Sequence, residues 1–203
     1  IRSCLVGSEM CIRDSVSKFD VSRSALYGQG TFSLSDRLSF STGLRLEGHD
    51  SKFIDSFDVR FSPQDSLLGG KAVLEMLASE NSRFHASISK GYKSGGFNTS
   101  GSLDEPLRLF EPEILWNIEL GWIVEFEKSD ASLRALLFKM DRSDVQISTS
   151  IVRVREDGSS EFVEFTGNAA EGVNQGLELE YAQRVNEFAR IRASLGLLNS
   201  RYN

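Results

Sequence analysis

The residue types that bind metals are sparse in this 203-residue sequence and do not form a recognisable site. His49 and His85 are the only two histidines, and neither has a cysteine or a second histidine at ligand spacing. A transition-metal site needs three or four converging donors. We therefore predict no metal site, and no sequence motif suggests a bound cofactor.

The only two cysteines, Cys4 and Cys11, both lie in residues 1–15, which read IRSCLVGSEMCIRDS. This segment lacks the basic stretch followed by an apolar run that defines a signal peptide. It closely resembles a translated sequencing-adapter read. We interpret residues 1–15 as a non-native segment and residues 16–203 as the native part, so we propose neither a disulfide nor a metal site on these cysteines.

Acidic side chains could form acid–base pairs, and the candidates are Asp141, Asp144, Glu178 and Glu180. Their setting on long amphipathic segments instead predicts polar residues in the wall of a sheet. The sequence has no Gly-rich phosphate loop and no Ser-His-Asp order. Its formal net charge is −6 without an offsetting basic run, which argues against nucleic-acid binding. We therefore predict that the protein is not an enzyme and binds no nucleic acid.

The elements that position these side chains are predicted to be β-strands, because the dominant period from Ser24 onward is two. The clearest segment is 114–126. Its apolar face carries Trp116, Ile118, Leu120, Trp122, Val124 and Phe126. The opposite face is mostly polar, with Ile123 as the exception. We predict that the apolar face contacts lipid or the membrane interface.

The same alternation recurs elsewhere in the chain. It is visible in residues 38–47, 84–89, 172–181 and 191–197. Residues 71–79 and 132–142 carry apolar side chains on both faces, so their sides cannot be assigned from the pattern. Five glycines, Gly43, Gly121, Gly172, Gly176 and Gly196, fall on polar faces. They either leave room for packed groups or mark bulges and bends, and the sequence does not distinguish these readings.

The connections alternate between short polar turns and long segments. Turns are predicted near residues 35–37, 80–83, 127–130 and 185–187, and long connections at about 48–69, 93–112 and 149–171. Transmembrane barrels alternate in this way, with tight turns on one side of the membrane and extended loops on the other. From Trp116 to Phe126, residues spaced at ~3.3 Å and tilted by ~45° span roughly 23 Å, close to the apolar band of such barrels.

Several segments, in this order and spacing, resemble the barrel of TonB-dependent receptors. They include ISKGYKSGGFN (88–98), FEPE (110–113) and WNIELG (116–121). Further matches are LSFSTGLRLE (38–47), LFKMDRSDVQI (137–147), TGNAA (166–170) and GLELE (176–180). The resemblance covers about residues 24–203.

The resemblance implies an all-β fold: an antiparallel transmembrane β-barrel, of which about eight strands of a presumed 22 are present. It implies import of scarce nutrients, most often ferric siderophores, across the outer membrane of a Gram-negative-type bacterium. The energy would come from the TonB-ExbB-ExbD complex, acting through an N-terminal region. The plug domain, the TonB-contacting segment and the C-terminal strands are not found, so we expect an internal fragment of the barrel domain.

In the family, extracellular loops help to form the ligand pocket, which makes the connection 91–112 the candidate site. Its candidate ligand contacts are Tyr92, Lys93, Phe97, Asn98 and Arg108. Aromatic and cationic side chains suit an anionic iron chelate. The alternative is that Ser94-Gly95-Gly96 forms a turn and Tyr92 lies in an interfacial aromatic belt.

Two other functions remain open at this point. One is a soluble all-β ligand-binding module, such as a lectin-like sandwich, in which the apolar faces would pack together. The other is a different outer-membrane barrel of the porin type, which lacks the resemblance described above.

Overall fold

The computed structural model describes residues 17–55, 59–100, 103–155, 157–168 and 171–202. Segment 1–15, and with it Cys4 and Cys11, lies outside the described residues, as does part of the TGNAA motif. The domain boundary at residue 16 therefore stays a prediction.

The described residues form thirteen strands and two short 3-10 helices. The strands are β1 (Ser17–Ser35), β2 (Leu38–Asp55), β3 (Arg60–Phe61), β4 (Gln64–Ser79), β5 (Ser82–Lys93), β6 (Gly96–Phe97), β7 (Leu109–Phe110), β8 (Glu113–Phe126), β9 (Ala131–Ser143), β10 (Gln146–Val154), β11 (Ser160–Asn168), β12 (Glu171–Arg184) and β13 (Arg190–Tyr202). The 3-10 helices span Glu105–Leu107 and Glu127–Ser129. In this part of the chain no helix is long and apolar enough to cross a membrane.

Eight strands follow one another across a single antiparallel sheet in the order β1-β2-β4-β5-β8-β9-β12-β13, with β3 beside β2. The small ladders β10-β11 and β6-β7 lie off this path. The prediction of about eight antiparallel strands is confirmed. β1 and β13 each pair with one strand only, so the sheet is an open arc with two free edges.

The short turns lie where they were predicted, but two of the long connections do not form irregular loops. β2 continues to Asp55 and β4 begins at Gln64, so most of 48–69 is strand. Most of 149–171 belongs to the β10-β11 hairpin. Cross-strand hydrogen bonds satisfy the backbone of these long segments, which explains why they stay extended beyond the alternating core. Only the 93–112 connection is mainly irregular.

The register shows which residues of β4 and β9 lie on which face of the sheet, a point that the sequence pattern of 71–79 and 132–142 left open. Directly opposed residues of an antiparallel pair share a face. Leu120 faces Leu137, which faces Leu177, which in turn faces Leu197. The face that carries this leucine row and Trp116 is called the outer face, and the opposite one the inner face. In β4, Met76, Leu74 and Ala72 join the outer face opposite Phe84, Ala86 and Ile88.

The same register places charged residues on both faces. Glu178 and Glu180 lie on the inner face, as expected for polar wall residues. Asp141 lies on the outer face, because it is opposite Trp116. The pattern of β9 could not show this, since Leu136, Phe138 and Met140 make its inner side apolar as well.

The outer face stays uncovered by the rest of the chain. Leu120, Leu137 and Leu197 are 56%, 54% and 57% exposed at the centre of their strands. Among the described strands no second sheet packs against them. A lectin-like sandwich would bury such a face, so the single layer argues against that alternative.

Two inner-face glycines leave room for rings on a neighbouring strand. Gly121 is opposite His85, and a Cβ at Gly121 would overlap the His85 ring. Gly176 is opposite Phe138, and a Cβ there would lie 2.7 Å from Phe138 Cζ and closer still to the backbone oxygen of Leu197. The register runs through both positions without a shift. At these two positions the glycines therefore accommodate packed rings and do not mark bulges.

The first prediction compares neighbouring leucines of β13 in the full-length protein. Leu197→Arg puts a charge on the outer face and should make folding into lipid vesicles less favourable by ~2–4 kcal/mol. Leu198→Arg, on the inner face beside polar wall residues, should cost much less. Urea titration followed by heat-modifiable gel mobility measures both, and equal costs would contradict the face assignment.

A second prediction concerns the ring over Gly121. Gly121→Ala should destabilise the protein by ~1–3 kcal/mol, because the new methyl overlaps the His85 ring. In a His85→Ala background the same change should cost much less. An unchanged cost in that background, measured by the same urea titration, would show that the ring is not the obstacle.

Candidate functional site

Several segments meet at the end of the sheet opposite the short turns. They are the β5-β8 connection (94–112), the β10-β11 hairpin (146–168), and the ends of β2 and β4 with β3. Together they are called the loop cluster. Side-chain and backbone hydrogen bonds join its parts, as the following contacts show.

Asn98 joins the β5-β8 connection to the hairpin. Its Nδ2 donates to the backbone oxygens of Leu107 at 2.9 Å and Thr166 at 2.8 Å. Its Oδ1 accepts from the Thr166 N–H at 2.8 Å. Its own N–H donates to the Arg108 oxygen at 2.7 Å. Both side-chain donors and the acceptor are thus engaged within the chain.

A second set of bonds fixes the base of the hairpin. Asn168 Nδ2 donates to the Glu111 oxygen at 3.0 Å, and Asn168 Oδ1 accepts from the Glu111 N–H at 2.8 Å. Gln146 Nε2 donates to the oxygens of Ser94 at 2.8 Å and Glu111 at 3.1 Å. Side-chain amides here supply the partners that the irregular backbone lacks. The hairpin is therefore attached at both of its strands.

A partly buried ion pair supports this junction from the sheet. Arg142 donates to Glu113 Oε1 from Nε at 2.8 Å and from Nη2 at 2.5 Å. Glu113 Oε2 accepts from the Gln146 N–H at 3.0 Å. Glu113 is 8% exposed, so loss of Arg142 would leave a nearly buried carboxylate without its counter-ion. The pair links β8 and β9 to the first residue of β10.

Phe97 belongs to an aromatic group at the loop-cluster end of the sheet. Its ring centroid lies 5.3 Å from Phe19, 5.1 Å from Phe53 and 5.8 Å from Phe61. Phe53 is buried, whereas Phe19 is 59% exposed. The Arg108 guanidinium lies 5.8 Å from the Phe61 ring centroid, within the range of a cation–π contact.

The sequence did not identify Phe19, Phe53 or Phe61 as neighbours of Phe97. Each belongs to a different strand, and only the pairings of β1 and β3 with β2 bring them together. Phe53 lies on the inner face of β2 with the buried His49 and Ser51, whereas the apolar residues of 38–47 lie on the opposite face. The alternation in the sequence therefore gave no signal for Phe53.

Tyr92 crosses β4 to reach β2. Its hydroxyl donates to Glu47 Oε2 at 3.0 Å and accepts from Arg45 Nε at 3.1 Å. β4 lies between these strands, and a Cβ at Gly69 would be 2.9 Å from Tyr92 Cε1. The absence of a side chain at Gly69 therefore opens the path for the tyrosine ring.

The hairpin tip is held by local bonds and by one contact to the connection. Asp157 Oδ1 accepts from Ser159 Oγ at 2.6 Å and from the Ser159 N–H at 2.9 Å. These bonds favour the carboxylate and hold the pKa of Asp157 below its usual value. Arg153 Nη2 donates to Asp104 Oδ1 at 2.6 Å.

The structure brings four of the five predicted ligand contacts into the packing of the loop cluster. Tyr92, Phe97, Asn98 and Arg108 all contact other residues of the chain, and Arg108 Nε also donates to the Leu103 oxygen at 2.9 Å. Lys93 differs because it is exposed, at the last residue of β5 opposite Glu113. Of the five, Lys93 is therefore the charged residue that is most accessible to a ligand.

No group of three or more potential metal-binding side chains occurs among the residues that the structure describes. His49 is 5% exposed and its Nε2 lies 2.9 Å from Ser51 Oγ, while its Nδ1 is buried without a partner. His85 lies across Gly121 on the inner face. The two histidines thus occupy separate positions on different strands.

Residues 6–203 match the family described as "TonB dependent receptor-like, beta-barrel". The pesticin receptor of Yersinia pestis is 24% identical over 163 residues, which cover 77% of this chain and 23% of that protein.

Two solved structures share the fold. The ferric yersiniabactin uptake receptor FyuA from Yersinia pestis has a TM-score of 0.75 and 21% identity, covering 93% of this chain and 28% of that one. The ferric preacinetobactin receptor BauA from Acinetobacter baumannii has a TM-score of 0.66 and 18% identity, covering 92% and 26%. The chain therefore spans about a quarter of the length of these relatives.

The third prediction tests the attachment of the hairpin. Asn98→Ala removes three side-chain hydrogen bonds to Leu107 and Thr166. The free energy needed to open the β10-β11 hairpin should therefore fall by on the order of 2 kcal/mol. Hydrogen exchange at Thr166 and along β11 in the full-length protein measures this. Asn186→Ala removes one bond in a short turn at the opposite end and serves as control. If the two variants exchange alike along β11, Asn98 does not hold the hairpin.

Proposed function

This chain belongs to the TonB-dependent receptor β-barrel family, and we propose that it forms part of the wall of an outer-membrane receptor that imports ferric siderophores. Residues 16–203 would be one portion of the barrel domain. The receptor would reside in the outer membrane of a Gram-negative-type bacterium, with outer-membrane lipid against the outer face.

The free edges of β1 and β13 support a larger barrel. An unpaired strand edge leaves backbone N–H and C=O groups without partners, and the bilayer core supplies none. Further strands of the same receptor would pair with both edges and close the wall. A plug domain and a contact with the TonB-ExbB-ExbD complex would come from other regions of that receptor.

The observation that carries the proposal is the ordered loop cluster at one end of long amphipathic strands. Two separate segments, the β5-β8 connection and the β10-β11 hairpin, are joined there by the contacts of Asn98, Gln146 and Asn168. A binding surface that is already ordered loses less conformational freedom when a ligand binds. Such a platform suits recognition of a small ligand at the outer mouth of a barrel.

The chemistry of the cluster favours an anionic, aromatic-bearing iron chelate. Lys93 offers an exposed cation, and the Phe97 aromatic group with Arg108 offers ring and cation–π surfaces. Charge-assisted hydrogen bonds to chelate oxygens would add to these contacts. FyuA is a ferric yersiniabactin uptake receptor and BauA is a ferric preacinetobactin receptor.

The fourth prediction reverses one charge at each end of the sheet. Lys93→Glu in the full-length receptor should weaken binding of an anionic ferric siderophore several-fold, because attraction becomes repulsion, a change on the order of 1 kcal/mol. Lys128→Glu makes the same change in an exposed short turn at the opposite end and should leave binding unaffected. Fluorescence titration and growth of the bacterium under iron limitation measure the two effects.

The outcomes separate the parts of the proposal. Equal binding by wild type and Lys93→Glu would exclude Lys93 as a ligand contact. Normal growth of a gene-deletion strain under iron limitation, on each ferric siderophore that the parent strain uses, would contradict the import of ferric siderophores.

A further inference from the structure

We propose that a groove on the outer face binds one phosphorylated acyl lipid of the outer leaflet, with the acyl chains along a row of leucines and the phosphate at Lys139 and Arg201. The inference rests on the proposed position of the barrel in the outer membrane. It adds a lipid site that is separate from the loop cluster.

The groove crosses β8, β9, β12 and β13 and has a volume of about 570 Å³. Its lower part is lined by four leucines in one register row, Leu120, Leu137, Leu177 and Leu197. A continuous apolar row of this kind suits an acyl chain lying along the wall. Burial of the chain then contributes in proportion to its apolar area.

The upper part of the same groove is polar. Lys139, Gln175 and Asn199 lie opposite one another in the next outer-face row toward the loop cluster. One row further on, Arg201 lies two residues along the strand from Asn199, and its Nε donates to Asn199 Oδ1 at 3.3 Å. Lys139 and the two amides thus lie in the row next to the leucines, and Arg201 follows one row beyond them, at the end of the groove.

The position of this polar group matches the outer-leaflet headgroup region. Outer-face rows are spaced by two residues, or ~6.6 Å along a strand, so the donors begin just above the acyl path. Trp116 lies in the same row as Arg201 and Lys90, and the Lys90 Nζ is 5.8 Å from its ring centroid. An aromatic ring beside a cation is characteristic of a membrane interface.

The charge of the group favours a phosphate. Lys139 Nζ pairs with Asp141 Oδ2 at 2.8 Å, but both side chains are about half exposed. Exposed pairs of this type contribute only ~0–1 kcal/mol, so the ammonium remains able to bind a stronger anion. Lys139, Asp141 and Arg201 together carry a net positive charge, and amide donors of Gln175 and Asn199 stand beside them. A phosphate accepts charge-assisted hydrogen bonds from such a set.

The experiment uses the full-length receptor in neutral detergent and native mass spectrometry. The probe is bisphosphorylated lipid A, with diacylglycerol and inorganic phosphate as separate comparison ligands. Wild type should retain one lipid A per barrel and should retain neither comparison ligand. The double variant Lys139→Gln/Arg201→Gln should lose retention by about five-fold or more, which corresponds to ~1 kcal/mol.

Lys90→Gln is the matched control, because Lys90 is an outer-face cation in the row of Arg201 but belongs to β5, outside the four strands that the groove crosses. It should retain lipid A as wild type does. An equal loss in both variants would reduce the effect to general surface charge and overturn the site. Equal retention of diacylglycerol would overturn phosphate recognition. Binding of inorganic phosphate alone would show an anion site without an acyl component.

Two further measurements keep the result interpretable. Heat-modifiable gel mobility reports whether each variant is folded, and Gln175→Ala provides a milder variant that should also lose lipid. Siderophore-dependent growth should be unchanged in all variants. Failure of growth in wild type would contradict the proposed function, whereas retained lipid in the double variant would contradict only the lipid site.

Discussion

The structure depends on one constraint, the pairing of backbone N–H and C=O groups along long antiparallel strands. Within a bilayer no water is available to replace such a partner, so a chain that spans it with strands must pair every one of them. The eight main strands pair with one another in an uninterrupted order from β1 to β13, which leaves only the outer edges of these two strands unpaired. Side chains then alternate between two environments, and the leucine row of the outer face and the polar inner face follow from that geometry.

The same pairing extends beyond the alternating core into the loop cluster. β2, β4 and the β10-β11 hairpin keep regular ladders, and side-chain amides complete the backbone where the ladders end. In the loop cluster, where ligand contacts were predicted, a structural role is therefore filled by Asn98, Gln146 and Asn168. Of the residues predicted to contact a ligand, Lys93 is exposed, whereas the side chain of Asn98 is engaged in hydrogen bonds within the chain.

Neither face follows a strict alternation of apolar and polar side chains, and the exceptions on each face have a physical cause. On the inner face, rings of His85 and Phe138 lie over Gly121 and Gly176, so large side chains pack without breaking register. On the outer face, Lys139, Gln175 and Asn199 lie in the row next to the leucines, on the side of the loop cluster. An apolar band that ends in cations and amides is the pattern expected of a wall that meets lipid headgroups.

A period of two is a local property, so the strand class, the approximate strand number, the short turns and the sorting of residues 114–126 could be predicted from the sequence. The sequence also carried the family resemblance. The sides of β4 and β9, the outer position of Asp141 and the extended form of segments 48–69 and 149–171 could be read only from the strand pairing. These features depend on which strand lies beside which, and residues such as Phe19, Phe61 and Phe97 meet through pairings between distant segments that no local pattern encodes.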